Sequence, residues 1–327
     1  MESRELRIGV LGAARIVQSA LIMPATEVAG VRVVAVSARD AKRAHAFASK
    51  HGIEHVRRSY AELLQDPEID AVYVPLPAAL HAEWTIAAIR AGKHVLCEKP
   101  FTSNTAAAKR VAAVAAASDK VVMEAYHSHY HPFQSRLREI IHSGELGRIV
   151  SARASFAVPI PPGRDIRWNL RLGGGGLLDV GYYPVRLLRE LFGDAREILQ
   201  ARAWERDGVD RLITGVLRFD QGIEGEFVSS IWSRRLMAMG LEIHGEDGRI
   251  AVTLPYHPHM GAKARINSGA GRRVERAGRK STYTYQLEAF RDASLHGAAV
   301  PTDSSAAVSQ IETLDSIYAT AGMSARP

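Results

Sequence analysis

The 327-residue chain has little cysteine and no long apolar run. A single cysteine, Cys97, excludes an internal disulfide framework and is typical of the cytosol. No stretch approaches the roughly 18 apolar residues of a membrane span. The first residues, MESRELR, are polar and charged rather than basic and then apolar, so no secretory signal is predicted. We therefore expect a cytoplasmic protein that has no membrane partner.

Basic residues exceed acidic ones, and the net charge is +7. The arginines are scattered along the chain rather than clustered on one segment, so we predict no nucleic-acid partner. A solvated basic surface explains most of this excess, and attraction of a phosphorylated ligand is the alternative.

The first third of the chain alternates short apolar strands with helical segments. Five strands are predicted, over 6–13, 31–38, 70–77, 94–100 and 120–130. The helix after the second strand is expected to end at Gly52, which has the position of a C-cap. Strands that alternate with helices predict an α/β fold with a doubly wound parallel sheet. We assign this domain to residues 1–123.

From about Gly147 the pattern changes to consecutive strands joined by short turns. Six strands are predicted, over 147–158, 196–207, 210–220, 222–232, 235–246 and 248–255. One helix, 177–193, interrupts this series, and the stretch 261–280 is predicted as an exposed hairpin or loop. Strands without intervening helices predict an α+β domain, 124–302, with an open, mostly antiparallel sheet. A final helix, 303–323, is predicted to return to the first domain.

The turn after the first strand occupies the place of the G-x-G-x-x-G turn of a dinucleotide-binding fold. Of its glycines only the first, Gly12, is present, and Ala14 leaves less room for the pyrophosphate. Taken alone this is a weak signal, and a plain strand-to-helix turn is the alternative. The strand–helix alternation favours a phosphate site at the helix start. That site would comprise Gly12, Ala13, Ala14, Arg15 and Ile16.

The end of the second strand predicts the choice of cofactor. An NAD-selective site needs a carboxylate there to accept the ribose hydroxyls, and Ala38 holds that place. Arg39 and Lys42 offer cations, and a guanidinium can bind a phosphate through two hydrogen bonds. The pattern therefore favours NADP over NAD. The alternative is that these are exposed charges at a helix start, with Asp40 as its N-cap.

The stretch KHVLCEKPFT, 93–102, places Glu98 and Lys99 where an apolar strand leaves the core, and Pro100 ends that strand. Desolvating either charge without a partner is costly. Ligands of α/β sheets bind outside the carboxyl ends of the strands. The pair is therefore a candidate for the site, although an ordinary exposed ion pair is the alternative on these residues alone.

A second candidate is the stretch DVGYY in the helix of the second domain. Asp179 and Tyr183 lie four residues apart, so in a helix they share a face, and Gly181 leaves that face open. Pro184 cannot donate a hydrogen bond to Val180 and is expected to start or kink the helix.

The segment HSHYHP offers three candidate metal ligands. His127, His129 and His131 alternate, and alternate residues of an extended segment point to one side. No cysteine or carboxylate cluster accompanies them in the sequence, so we predict no metal site.

Five elements occur in one order along the chain: GAARI, VPLP followed by His81, EKP, EAYHSHYHP and GGGGLLDVGYYP. Together they resemble the glucose–fructose oxidoreductase and inositol dehydrogenase (Gfo/Idh/MocA) family over essentially the whole length. The EKP and Asp-x-x-x-Tyr elements resemble its branch of dihydrodiol and D-xylose dehydrogenases. Each motif alone is modest, but five in order are specific.

The resemblance implies a Rossmann domain, an NADP cofactor and three catalytic residues. Lys99 is expected to stabilise an oxyanion on the substrate and to lower the pKa of a phenol. Tyr183 is expected to donate and accept the proton, where many relatives have histidine, and Asp179 is expected to orient the site.

Further residues are assigned to the two ligands. The candidates for the cofactor are Gly12, Ala13, Ala14, Arg15, Ile16, Ser37, Ala38, Arg39, Lys42, Leu76, Pro77, His81, Glu98, Lys99 and Trp168. The candidates for the substrate are Tyr126, His127, Arg167 and Tyr183. Some relatives carry arginine where His129 stands and asparagine where Ala78 stands, so this chain departs from their contacts there. For Trp168 the alternative is an anchored tryptophan in an exposed loop.

We therefore predict an NADP-dependent oxidoreductase of a sugar, polyol or cyclic diol. Hydride would pass between the nicotinamide and a carbinol or carbonyl carbon. The alternatives are an NAD-preferring inositol or sugar dehydrogenase, redox-assisted cleavage of a glycoside, and a non-catalytic dinucleotide-binding regulator. The retained Lys99, Asp179 and Tyr183 favour an enzyme. Relatives associate through the open sheet, which predicts a homodimer or homotetramer.

Overall fold

The computed structural model describes residues 5–163, 165–234 and 237–327. Residue 164 begins the stretch RDIRWN, and residues 235–236 begin a predicted strand; all three lie outside the described part. The chain divides into two compact units. The first comprises Met1–His127 with Tyr283–Ile311, and the second comprises Ser128–Thr282 with Glu312–Pro327.

The helices are distributed over both units. In chain order they are α1 Met23–Glu27, α2 Ala41–His51, α3 Tyr60–Gln65, α4 Ala78–Arg90, α5 Thr105–Ala116, α6 Pro132–His142, α7 Tyr182–Phe192, α8 Thr282–His296 and α9 Ser304–Thr320. Two π-helical turns, Gln18–Ile22 and Leu177–Gly181, directly precede α1 and α7. In the described part of the chain, no helix is long and apolar enough to cross a membrane.

The first unit contains a six-stranded parallel sheet. Its strands are β1 Leu6–Leu11, β2 Val31–Ser37, β3 His55–Arg57, β4 Ala71–Val74, β5 His94–Glu98 and β6 Val122–Ala125. Their order in the sheet is β3-β2-β1-β4-β5-β6, so the connections reverse direction between β1 and β4. β4 and the apolar part of β5 are fully buried because helices cover both faces of such a sheet. The predicted doubly wound sheet is confirmed.

Short polar residues determine where the crossover helices begin. Asp40 accepts a hydrogen bond from the Arg43 amide at 3.2 Å and caps α2, and Asn104 caps α5 in the same way. Gly52 ends α2 with a φ of +68°, as predicted. Strand β3 and helix α3 were not among the predicted elements, because a three-residue strand carries almost no periodic signal.

The second unit contains an eight-stranded sheet. Its strands are β7 Ile149–Ala157, β8 Glu197–Arg206, β9 Val209–Arg218, β10 Glu224–Ser230, β11 Ala238–Gly245, β12 Arg249–Thr253, β13 Lys263–Ser268 and β14 Gly271–Arg276. Their order is β14-β13-β12-β11-β7-β10-β9-β8. Among the described strands, β7 and β10 form the parallel pair and the other neighbours are antiparallel. The predicted α+β sheet is confirmed, and the stretch predicted as hairpin or loop contains β13 and β14.

Candidate active site

The turn after β1 brings two strand ends of the first unit together. The Gly12 amide donates to the Ser37 carbonyl at 2.7 Å, which ties the ends of β1 and β2. Gly12 has a φ of +113°, and a Cβ there would lie 3.1 Å from a methyl carbon of Leu76 in the loop after β4. Glycine therefore serves both the backbone conformation and the close approach. The turn lies where the sheet connections reverse, which is the binding position of α/β folds.

Three cations surround the end of β2, and all of them are exposed. Arg43 donates to the Ala13 carbonyl at 3.2 Å, so its guanidinium reaches the turn itself. Arg39 and Lys42 have no carboxylate partner among the described residues. The Asp40 carboxylate is occupied as the cap of α2. The strand end thus presents positive charge rather than a ribose-binding carboxylate, as a 2′-phosphate requires.

The EKP segment is fixed by hydrogen bonds at the end of β5. The Tyr73 hydroxyl, fully buried on β4, donates to Glu98 Oε1 at 2.6 Å, and the Lys99 amide donates to Oε2 at 3.2 Å. Burial raises the pKa of Glu98, while the Tyr73 hydroxyl and the Lys99 charge act in the opposite direction. Glu98 is therefore partnered and oriented within the strand end, and Lys99 beside it is half-buried.

Two buried side chains fasten the segment that follows Lys99. Glu124 on β6 accepts from the Phe101 amide at 2.8 Å. His81 on α4 is 1% exposed, and its Nδ1 and Nε2 lie 2.8 and 2.6 Å from the carbonyl oxygens of Pro100 and Leu76. Both of its nitrogens face main-chain carbonyls, and the cofactor contact expected of His81 stays a prediction. His81 thereby connects the loops after β4 and β5.

The predicted substrate residues of the first unit lie just after β6. Tyr126 is fully buried, and the His127 ring lies 4.2 Å from the Tyr283 ring, centroid to centroid. His127 is 2% exposed. The structure therefore pairs His127 with an aromatic partner from the start of α8, which the sequence did not indicate.

The helix start of the second unit carries Asp179 in a π-helical turn and Tyr183 in the first turn of α7. Pro184 is the third residue of α7, so it does not start the helix but follows the π-helical turn closely. Proline lacks the amide that would bond to Val180, and the helix is widened immediately before it. Arg167 donates to the Asp179 carboxylate and also pairs with Asp165 at 3.1 Å. The Asp179 charge raises the pKa of Arg167, and the two side chains form an ion pair.

An aromatic cluster surrounds Tyr183, which is 6% exposed. Ring centroids of Phe156, Tyr256 and His257 lie 5.4, 5.6 and 5.9 Å from its own. Phe156 and Tyr256 stack on each other at 5.2 Å with an interplanar angle of 7°. Sequence reasoning missed these three neighbours, because they come from β7 and from the chain after β12. The alternation that buries Phe156 on β7 was the one available signal.

Trp168 lies in a short 3-10 turn of the second unit, Ile166–Trp168. Its indole nitrogen donates to the Ile160 carbonyl at 3.1 Å, and the surrounding loop lines an open cavity of about 370 Å³. The indole polar group is therefore used to fix its own loop. This contact agrees with the anchored alternative considered for Trp168, while the predicted cofactor role stays a prediction.

The three histidines of HSHYHP have separate partners. His129 Nδ1 lies 2.6 Å from the buried Glu190 carboxylate, and His131 Nδ1 accepts from the Phe133 amide as the cap of α6. The His127 ring packs against the Tyr283 ring at an interplanar angle of 39°. In the part of the chain that the structure describes, no three histidine, cysteine or carboxylate side chains are grouped as metal ligands.

Comparison with known proteins now decides the family. Residues 6–126 match the profile described as oxidoreductase family, NAD-binding Rossmann fold, and residues 135–251 match the GFO/IDH/MocA C-terminal domain. The chain belongs to the Gfo/Idh/MocA oxidoreductase family. The family, the fold class and the oxidoreductase class predicted from the sequence are thereby confirmed.

Three proteins indicate where in the family the chain lies. D-xylose 1-dehydrogenase (NADP(+)) 2 of Haloferax volcanii is 34% identical over 97% of each chain. Mouse trans-1,2-dihydrobenzene-1,2-diol dehydrogenase is 37% identical over 62% of this chain and 61% of the mouse protein. The crystal structure of KijD10, a 3-ketoreductase from Actinomadura kijaniata in complex with NADP and TDP-benzene, superposes with a TM-score of 0.89. It is 30% identical, with 97% of this chain and 98% of that chain covered.

Proposed function

We propose that this protein is an NADP-dependent oxidoreductase that acts on a CH–OH group of a sugar, polyol or cyclic diol. The choice of NADP rests on the residues that follow β2. Arg39 and Lys42 are exposed there, and the Asp40 carboxylate is already used to cap α2. The Haloferax relative is an NADP(+) dehydrogenase by name, and the Actinomadura enzyme was crystallised with NADP, which supports the same choice.

The first unit would hold the dinucleotide through its strand ends. The turn at Gly12, with its positive φ and no Cβ, would bring backbone amides close to the pyrophosphate. Arg43 lies on that turn through the Ala13 carbonyl, and Arg39 and Lys42 would bind the 2′-phosphate. Glu98 would accept a hydrogen bond from a ribose hydroxyl, or fix the backbone of Lys99 through the bond from its amide. When bound, the nicotinamide supplies or accepts the hydride.

The chain's own residues would handle the proton and the developing charge. Tyr183 exchanges the substrate hydroxyl proton as general acid and base. Lys99 stabilises negative charge on the substrate oxygen with its ammonium group. Asp179 orients the site through its ion pair with Arg167, whose remaining donors are available to a substrate hydroxyl. Tyrosine in place of histidine has an unperturbed pKa of about 10, so its ionisation has to be assisted.

A substrate screen tests this function directly. Purified protein is incubated with free aldoses, polyols, cyclic diols and nucleotide-linked ketosugars, each with NADP(H) and with NAD(H), and the absorbance of reduced nicotinamide is followed. We expect turnover of at least one class, with a higher kcat/KM for NADP(H). Turnover with NAD(H) alone would contradict the cofactor choice. Absence of turnover despite measurable dinucleotide binding would favour the regulator.

We further propose a cytoplasmic homo-oligomer. The single thiol, Cys97, is fully buried on β5 and forms no disulfide, which is consistent with a reducing compartment. The eight-stranded sheet carries charged side chains in cross-strand pairs, such as Arg153 and Glu226 at 3.3 Å, with both partners partly exposed. Light scattering coupled to size exclusion measures the mass, and a monomer at micromolar concentration would contradict the oligomer.

A further inference from the structure

A buried polar cluster of the second unit has no part in the function described so far. It consists of Asp210 at the start of β9, Tyr318 near the end of α9 and Arg326 in the tail. Asp210 is 0% and Arg326 4% exposed. Arg326 Nη2 donates to Asp210 Oδ1 at 2.5 Å, and the Tyr318 hydroxyl donates to the same oxygen at 2.9 Å. The guanidinium lies over the Tyr318 ring, 4.2 Å from its centroid.

The other oxygen of Asp210 holds the helix start that carries Asp179. Oδ2 accepts from the Leu177 amide at 2.6 Å, and Leu177 is the first residue of the π-helical turn. The Asp179 amide in turn donates to the Gly175 carbonyl at 3.2 Å. Leu177 is therefore bonded to the cluster directly, and Asp179 is bonded to Gly175, which packs against the cluster.

The glycines at 173–176, just before the π-helical turn, include one that packs directly against the cluster. Gly175 has a φ of +150°, and a Cβ there would lie 2.4 Å from Asp210 Oδ1 and 2.7 Å from the Tyr318 hydroxyl. Any side chain at this position would displace the polar groups, so the backbone itself packs against them. Glycine at position 175 thus has a structural reason that involves the tail.

Arg326 supplies the charge that this arrangement requires. A buried carboxylate without a counter-charge is expensive, and removing one partner of such a pair leaves the other uncompensated. Burial raises the pKa of Asp210, and the Arg326 charge and the Leu177 amide are the main groups that oppose this. Arg326 Nη1 also donates to the Gly208 carbonyl at 3.1 Å, which fixes the turn between β8 and β9.

We infer that Arg326 is a positioning residue for the reaction: through Asp210 it fixes the helix start that carries Asp179 and, one turn later, Tyr183. This inference rests on the proposed roles of Asp179 and Tyr183. It does not require Arg326 to touch substrate or cofactor.

The decisive variant is Arg326→Gln, which keeps a polar side chain and removes the charge. Because small misplacements of reacting groups are costly, we expect kcat to fall roughly 10- to 100-fold with an unchanged KM for NADP(H). Amide hydrogen exchange over residues 175–183 should become about tenfold faster, because the anchored segment opens locally. The matched control is Arg196→Gln, which breaks an exposed ion pair with Asp220 in the same unit. It should leave kcat and exchange over 175–183 unchanged.

Tyr318→Phe provides a milder second variant that keeps the ring beneath the guanidinium. It removes one hydrogen bond to Asp210, so exchange over 175–183 should rise by about two- to fivefold. If Arg326→Gln does not fold, this measurement decides, and unchanged exchange would overturn the inference. Wild-type kcat and exchange in folded Arg326→Gln would overturn it as well.

Tyr183→Phe, measured alongside, separates the two proposals. If Tyr183→Phe keeps full activity while Arg326→Gln loosens residues 175–183, the role of Tyr183 is wrong and the anchoring stands. If Tyr183→Phe is inactive and Arg326→Gln behaves like the control, the role of Tyr183 stands and the anchoring is wrong.

Discussion

The two units build their candidate residues in different ways. In the first unit, Gly12, Arg39 and Lys99 lie just beyond the ends of parallel strands, whose main-chain ladders set where each strand ends. Buried side chains of the same sheet and its helices then fasten the segment around Lys99. In the second unit, Asp179 and Tyr183 lie on a distorted helix start. Side chains from β7, β9 and the tail hold that helix start in place. The strand ends of the first unit follow from the strand order of its fold. The positions of Asp179 and Tyr183 depend on individual side chains that are distant in sequence. Substitutions should therefore act locally in the first unit and over a longer range in the second.

The largest effect is expected from Tyr183→Phe, which keeps the ring within its aromatic cluster and removes the proton-exchanging hydroxyl. General acid–base transfer contributes about 100- to 10,000-fold, so kcat should fall by that order while circular dichroism shows an intact fold. Tyr183→His should restore part of the rate, because imidazole titrates near neutral pH.

The matched control for this change is Tyr182→Phe, one residue earlier and fully buried. It should retain activity within about threefold, since only a buried hydroxyl group is removed. A wild-type rate in Tyr183→Phe together with a loss in Tyr182→Phe would transfer the proton role to Tyr182.

The fold could be predicted from the sequence because its signals are periodic and local. Apolar strands alternating with helices predicted the parallel sheet, and consecutive strands with short turns predicted the second one. Gly12, Asp40 and Gly52 signalled a turn and two helix ends through their own backbone chemistry. Short β3 was missed because three residues cannot show a period.

The surroundings of the second candidate region could not be predicted in this way. Tyr256 and Arg326 are far in sequence from the helix start near which the structure places them. Their burial depends on the register of a sheet in which strands distant in sequence are neighbours. His81 shows the same limit in the first unit, because its position after VPLP did not reveal that both nitrogens face carbonyls.

The next largest effect is expected from Lys99→Ala in the first unit. Loss of one preorganised donor to a developing oxyanion commonly costs about 100- to 1,000-fold in kcat. The dissociation constant of NADPH should change little, because the phosphate-binding turn and the cations after β2 are untouched. The matched control is Lys50→Ala on the exposed face of α2, which also removes one positive charge and should leave kcat unchanged. Turnover above about a tenth of the wild-type value would contradict the catalytic role.

A smaller and more selective effect is expected from Arg39→Ala. A charge-assisted hydrogen bond to phosphate contributes enough that the dissociation constant of NADPH should rise about 10- to 100-fold. NADH has no 2′-phosphate, so its affinity should remain unchanged, as fluorescence titration of both cofactors can show. Arg58→Ala, an exposed arginine of the same unit, controls for net charge. Equal losses for both cofactors would make Arg39 a stacking or surface residue.

The smallest effect is a shift in pH dependence from Tyr73→Phe. The Tyr73 hydroxyl stabilises the ionised form of Glu98 and so opposes the rise in its pKa that burial causes. Removing the hydroxyl should raise the pKa of Glu98 further. If ionised Glu98 supports cofactor binding, the acidic limb of kcat/KM for NADPH should move to higher pH, with the plateau changed by only about two- to threefold. An acidic limb that stays in place would remove Glu98 from the cofactor site.

Hydride transfer itself is the central claim, and isotope tracing tests it most directly. The best substrate from the screen is prepared with deuterium on its CH–OH carbon and incubated with NADP and the purified protein. Nuclear magnetic resonance then locates the label. We predict deuterium at one face of the nicotinamide C4 of NADPH, with transfer abolished or strongly slowed in Tyr183→Phe and Lys99→Ala. Label that is released to water, or NADPH that forms without deuterium, would contradict direct hydride transfer by this protein.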